Sequence, residues 1–397
     1  MIKIILKKGR EDSILRFHPW VFSGAIAQIL GEPEEGDIVA VHSSNGTYLA
    51  SGHYQIGSIA VRILSFTEDP SSPDFYYRML SKARDLRSAE GLLSADGNTN
   101  CFRLVHGEGD GLPGLIIDWY DGVCVLQAHS VGMFRAKLHI ADALKQLFGE
   151  ELKAVYDKSS GTAPFKAGLE LIDGYLYKKE GFSDSELIVL ENGRKFIVNW
   201  GEGQKTGFFL DQRENRDLVG RYADGRKVLN LFCYTGGFSI YALSAGAISV
   251  DSVDSSAKAM KLVDRNVALN GVENRHTSHC EDAIEFLGKC EEGKYDLIIV
   301  DPPAFAKHRG ALHNALRAYQ RLNAAAISKV APGGFVFTFS CSQVVDKISF
   351  ANTVFSAAAQ TGRSVRIIGR LCQGPDHPVN IYHPEGEYLK GLLLYVE

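Results

Sequence analysis

Between Arg226 and Val300 short apolar runs alternate with helical stretches, and this alternation restricts the fold more than any other feature of the chain. The runs "RKVLNLF", "AISVDSVD" and "YDLIIV" read as buried strands, whereas "FSIYALSAG" and "AKAMKLVDRNVALNG", the latter closed by Gly271, read as helices. A strand followed by a helix returns the chain to the same end of the sheet, so successive strands run parallel. The expected fold is therefore α/β, a doubly wound parallel sheet whose ligands sit beyond the carboxyl ends of the strands.

The rest of the chain reads differently. Residues 1 to 72 hold short Val-, Ile- and Tyr-rich segments ("GDIVAVHSS", "TYLASGHY", "SIAVRILSF") broken by the turn signal Asn45-Gly46, as in a small β-module. After "TEDPSSPD" comes the helical "FYYRMLSKARDLRSAEGLL" with its basic run Lys82, Arg84 and Arg87. Then "CFRLVHGEGDGLPGLIIDWYDGVCVLQAH" reads as two strands broken by glycine turns, "MFRAKLHIADALKQLFG" as a helix and "KAVYDKSS" as a strand. These segments make an α+β unit over 73–185, and the parallel sheet occupies 186–397, entered through a hairpin at Asn192-Gly193. A chain of 397 residues exceeds the size of a single core, in keeping with such a division.

With 45% hydrophobic and 23% charged residues the protein falls in the ordinary soluble class. No run is long enough for a membrane span or signal-peptide core, so a cytoplasmic location is expected. Seven scattered cysteines without a C-x-x-C pair suggest reduced thiols and no metal. A net charge of −4 neither requires nor excludes a nucleic-acid partner.

"NLFCYTGGFS" lies between a strand and a helix, where Gly236 and Gly237 would let a ligand approach backbone N–H groups. It contains neither G-x-G-x-x-G nor a Walker lysine, which favours another adenosine-containing ligand over a dinucleotide or triphosphate. Asp254, at the end of the next strand, is placed to reach ribose hydroxyls. Asp282 in "HCEDAIEFL" is placed either to accept from an adenine amine or to cap the following helix. Just upstream, "GQKTGFFLDQRENR" carries Lys205, Asp211, Gln212, Arg213 and Arg216 around a Gly-Phe-Phe turn.

Taken together, "GQKTGFFLDQRENR", "LNLFCYTGGFS", "VDSSAKAM", "VDPPAF", "TFSCS" and "DHPVNIYHPEGEYLKG" resemble the RlmI-type class I methyltransferases, which form 5-methylcytosine in large-subunit ribosomal RNA from S-adenosylmethionine. "RFHPWVFSGAI" before "GDIVAV" resembles the PUA module of that family, and "GEGDGLPGLIID" its middle domain. The resemblance implies a Rossmann-like class I methyltransferase domain preceded by a β PUA domain and an α+β middle domain. It further implies S-adenosylmethionine contacts at Phe209, Asp211, Arg213, Asn230, Phe232, Tyr234, Thr235, Gly236, Gly237, Asp254, Asp282 and Asp301, with Cys341 as catalytic cysteine. Ribosomal RNA is the implied partner, and the family admits a homodimer.

Carbon 5 of cytosine is a poor nucleophile until something adds at carbon 6, and a thiolate suits that task. Cys341, between Ser340 and Ser342, ends the strand "GFVFTFS" next to the one ending at Asp301. Pro302 and Pro303 stop that neighbouring strand and stiffen its end. In the family this loop grips a flipped base, on which Phe305 would stack. Many RNA cytosine-5 methyltransferases carry a second cysteine after the loop proline to release the product. Here Pro303 and Ala304 stand in its place, which leaves water, Asp301 or His377 to remove the carbon 5 proton. Lys307, His308, Arg309, Arg317 and Arg321 offer basic contacts to RNA. Three readings stand open: cytosine carbon 5 methylation, methylation of uridine carbon 5 or of a purine nitrogen, and a non-catalytic RNA-binding assembly factor.

Overall fold

The computed structural model describes residues 2–94, 97–164, 168–183, 185–306 and 308–397. It forms two units, one of Met1–Val189, Val198–Leu210 and Pro375–Gly386, the other of Leu190–Ile197, Asp211–Gly374 and Glu387–Glu397.

The first unit carries two sheets. In the six-stranded one, Ile2–Leu6 lies between Ile38–His42, to which it runs parallel, and Ile26–Leu30. Ile38–His42 continues antiparallel into Tyr48–Tyr54 and Ile59–Ser65, with Trp20–Phe22 at the far edge. The hairpin expected at Asn45-Gly46 is present, with Gly46 at φ +87°. Ile4, Val39, Val41, Val61 and Ile63 fill the core of this sheet.

The second sheet runs Gly174–Lys178, Ala154–Asp157, Val123–Ala128, Leu115–Tyr120, Cys101–His106. Where the sequence reads as two strands between Cys101 and His129, the structure has three. Asp121 (φ +46°) and Gly122 (φ +91°) make a two-residue turn inside "DWYDGVCV", short enough to hide within one apolar stretch. Arg87, read from the sequence as part of a basic run in a helix, is fully buried: its guanidinium grips both carboxylate oxygens of Asp110 at 2.6 and 2.8 Å and donates to the Asp376 carbonyl.

The second unit is the expected parallel sheet. Its strands are β1 (Lys227–Leu231), β2 (Ser249–Val253), β3 (His276–His279), β4 (Tyr295–Val300), β5 (Val330–Ser340), β6 (Val365–Leu371) and β7 (Lys390–Val396). Its helices are α1 (Arg213–Ala223), α2 (Gly237–Ser244), α3 (Ala257–Leu269), α4 (Ala283–Lys289), α5 (Leu312–Lys329) and α6 (Lys347–Thr361). The strand order is β3-β2-β1-β4-β5-β7-β6, parallel through β5 and antiparallel at β7 and β6. Strands buried on both faces, such as Leu297–Val300, are continuous apolar runs because helices cover both sides. The strand order reverses at β1, and the loops after β1 and β4 leave from neighbouring carboxyl ends.

His53 in the first unit is 4% exposed, and burial, with the nearby Arg62 charge second, pulls its pKa from 6.5 down to about 4. Between those values the unfolded chain binds a proton that the folded chain does not, so stability falls as the pH drops from 6.5 toward 4. We expect a loss of up to about 3 kcal/mol from this residue, read as a fall in urea midpoint between pH 7 and 5 that flattens in His53→Leu. Equal slopes in the two proteins would contradict the assignment.

Candidate functional site

The loop after β1 departs from ordinary backbone at alternate residues: Phe232 (φ +57°), Tyr234 (φ +48°) and Gly236 (φ +81°) are all left-handed. Two of these are bulky side chains in a costly conformation, and alternating handedness turns successive N–H groups toward one concave side. Asp254, just past β2, accepts from Tyr234 N at 3.1 Å and Ser256 N at 2.9 Å. The loop and the carboxylate are thus one hydrogen-bonded piece.

Buried side chains behind this piece fix it. Asn266 on α3 donates to the Thr235 carbonyl at 2.9 Å and accepts from Ile197 N at 2.9 Å. A Cβ at Gly236 would meet Val263 at 3.2 Å, and one at Gly237 would meet Arg216 Cδ at 2.9 Å. Arg216 cannot yield, since its guanidinium is locked in a fully buried pair with Glu191, at 2.8 and 2.6 Å. Tyr241 O–H adds a third donor to Glu191 at 3.0 Å. Beneath the loop Asn230 donates to Ser239 Oγ, while its own Oδ1 is buried with no hydrogen-bond partner among the described residues. Cys233 is buried, and burial drives its thiol far above the usual range, so this cysteine is inert.

Around α1 the charged stretch is largely buried. Asp211 accepts from Tyr388 O–H at 2.6 Å, and Arg213 is 1% exposed. Asn215 holds the Gln212 amide oxygen at 2.6 Å, and Gln212 Nε2 donates to Asp301 Oδ2 at 3.0 Å. Phe209 belongs to the first unit, where Lys205 Nζ lies 4.5 Å from its ring centre. Asp282 is exposed and caps α4, its Oδ1 accepting from Ile284 N and Glu285 N.

Val300 pairs with Thr338, so Asp301 and Cys341 leave the sheet from adjacent strands. Cys341 is half-buried. Both its neighbours are tied to Tyr319 of α5: Ser340 Oγ donates to the phenol at 2.9 Å, and Ser342 Oγ lies 3.2 Å from it. Tyr319 also carries Phe305, ring centres 4.7 Å apart, and Ser342 Oγ accepts from Ala306 N at 3.4 Å. Tyr319 therefore couples the "DPPAF" loop to the "SCS" turn, and burial raises its pKa, keeping it a neutral donor. Pro302 is buried and Pro303 exposed. Lys307 lies outside the described residues. His377 is buried in the first unit, its Nδ1 3.0 Å from Asp376 Oδ1 and its ring 5.1 Å from His106.

The second unit thus gathers the β1 loop, Asp254, Asp282, Asp301 and Cys341 at the carboxyl ends of its parallel strands. Sequence reading missed Glu191, Asn266, Tyr319 and Lys390. Only Lys390 carried a visible signal, a lone charge opening the apolar run "GLLLYV".

Comparison with known proteins agrees with this architecture. Residues 4–66 match the family model of the PUA-like domain and residues 172–394 that of the S-adenosylmethionine-dependent methyltransferases. The ribosomal RNA large subunit methyltransferase I of Pseudoalteromonas atlantica is 42% identical over 99% of both chains, and that of Shewanella amazonensis 40% identical over 100% of this chain and 99% of its own. A solved structure from Streptococcus mutans, provisionally named an S-adenosylmethionine-dependent methyltransferase, covers the whole of both chains with TM-score 0.83 at 21% identity and supports the fold alone.

Removing one partner of a buried ion pair strands the other charge. Glu191→Gln should accordingly lower stability by about 3–5 kcal/mol, seen as a drop in denaturant midpoint. An unchanged midpoint would mean that Arg216 needs no counter-charge to hold the glycine turn.

Proposed function

We propose, for a chain that belongs to the S-adenosylmethionine-dependent methyltransferases of the ribosomal RNA large subunit methyltransferase I family, that it methylates carbon 5 of a cytosine in large-subunit ribosomal RNA. The observation that carries this reading is Cys341: a half-buried thiol at the carboxyl end of β5, held on both sides by Tyr319 and next to the strand end that presents Asp301. A methyltransferase acting on a nitrogen has no use for such a nucleophile.

S-adenosylmethionine, when bound, supplies an electrophilic methyl group. The residues present fit it: a strained β1 loop with N–H groups turned to one side, the buried unpartnered Asn230 Oδ1, and carboxylates at two neighbouring strand ends. We assign Asn230, Phe232, Tyr234, Thr235, Gly236 and Gly237 to its amino-acid and sulfonium portion, Asp254 to the ribose hydroxyls, and Asp282 to the adenine amine. Asp211, Arg213 and Asp301 complete the set.

Cys341 as thiolate adds to carbon 6, forming the S–C6 bond and opening the C5=C6 double bond, so that its electron pair becomes nucleophilic at carbon 5. After carbon 5 has gained the methyl group, Asp301 accepts its proton. The C5–H pair re-forms the C5=C6 bond, and Cys341 departs as thiolate. We choose Asp301 because it shares the strand-end edge with Cys341 and is oriented by Gln212. Pro302, Pro303 and Phe305 shape the base pocket, and Lys307 contributes charge toward RNA. We read 1–72 as the PUA domain that grips RNA, 73–185 as a middle domain, and 186–397 as the methyltransferase.

The test is incubation with isotopically labelled S-adenosylmethionine and unmodified large-subunit ribosomal RNA, digestion to nucleosides and mass spectrometry. Labelled 5-methylcytidine, reduced at least 10³-fold in Cys341→Ala with donor affinity within about threefold of wild type, is the expected result. Label on a different nucleoside, or survival of activity in Cys341→Ala, would overturn it. Asp254→Ala should weaken donor binding by about 1–3 kcal/mol in calorimetry.

A further inference from the structure

One buried cation stands beside the proposed nucleophile and takes no part in the mechanism above. Lys390 opens β7, directly opposite Ser340 in the antiparallel β5–β7 pair, one residue before Cys341. It is 6% exposed, and its Nζ donates to the carbonyls of Ser342 at 2.6 Å and Val345 at 2.7 Å, the turn that follows the cysteine. Two of its three N–H groups are spent there.

A buried ammonium is costly unless something requires its charge. Capping two carbonyls does not by itself explain a lysine, because neutral donors perform that task at lower desolvation cost. We propose that Lys390 is the positioning cation of Cys341: it anchors the turn after the cysteine through two carbonyls and directs its positive charge at the sulfur, stabilising the thiolate both before attack and on departure. This inference deepens the reading of Cys341 as nucleophile and rests on it. Lys390 stays an ammonium throughout, and the thiol proton goes to solvent.

The charges around Lys390 agree with this arrangement. Burial, the largest influence, lowers its pKa to about 8. Of the charges that oppose this, Cys341 acts most strongly, ahead of Asp346 and Glu387, while Lys347 pushes the other way. At neutral pH the ammonium is therefore present, and above pH 8 its field fades.

The experiment reads the thiol itself, without RNA or donor. The full-length protein is treated with iodoacetamide across pH 6–10, and alkylation is followed at each cysteine peptide by mass spectrometry. Cys372, exposed in the same unit, serves as internal reference. We expect Cys341 to reach half its plateau rate at least one pH unit below Cys372. In Lys390→Met we expect the Cys341 rate at pH 7 to fall tenfold or more and its profile to move up in pH, and in Lys390→Arg to stay within threefold of wild type. A wild-type Cys341 profile at or above that of Cys372 overturns the proposal even if Lys390→Met does not fold. So does a folded Lys390→Met with an unchanged profile, or an equal loss in Lys390→Arg. Loss of 5-methylcytidine formation is read separately in Cys341→Ala, so a failed nucleophile and a failed cation give different results.

Discussion

The reversal of strand order at β1 is the constraint from which the second unit follows. Because β2 lies on one side of β1 and β4 on the other, the loops after β1 and β4 diverge in opposite directions, the arrangement that opens a crevice at the carboxyl ends of a parallel sheet. The glycine turn, Asp254 and Asp301 are all strand-end residues bordering that crevice. Extending the sheet by β5 brings Cys341 to the same edge. The residues of this edge span 113 positions of sequence, from Asn230 to Ser342, yet share one end of one sheet.

What keeps that edge in one conformation is polar and buried. Glu191 and Arg216 stand behind the glycine turn, Asn266 ties the turn to the hairpin, and Tyr319 joins the proline loop to the cysteine turn. Such groups add little net stability, since desolvation offsets much of their attraction. They contribute uniqueness, because each has satisfied partners only in one arrangement, and a reacting constellation tolerates little drift. The left-handed Phe232 and Tyr234 fit the same picture: the surroundings over-determine the loop enough to hold a conformation it would not adopt alone.

Much of this was legible in the sequence, and for identifiable reasons. Helix and strand periods differ, so the alternation from Lys227 to Val300 fixed the parallel sheet, and glycine at Gly236-Gly237 and proline at Pro302-Pro303 act within one or two residues of where they stand. The sequence reading failed where the cause was distant or hidden. Asp121-Gly122 vanished into a longer apolar stretch and merged two strands. Arg87 read only as one member of a basic helical run because its partners, Asp110 and Asp376, lie 23 and 289 residues away. Tyr319 and Asn266 were missed for the same reason: a buried hydrogen bond between remote segments leaves no local pattern.

The order of the last two strands has a consequence for how the molecule is made. β6 precedes β7 in the chain, but its partner in the sheet is β7, which inserts between β6 and β5. During synthesis β6 therefore emerges with nothing to pair with, and it carries the exposed Ile367 and Ile368. Until β7 slides in, the edge of β5 next to Cys341 stays open, and the turn after the cysteine lacks its lysine anchor. The turn after Cys341 can therefore close on its two capped carbonyls, those of Ser342 and Val345, only once β7 has docked against β5.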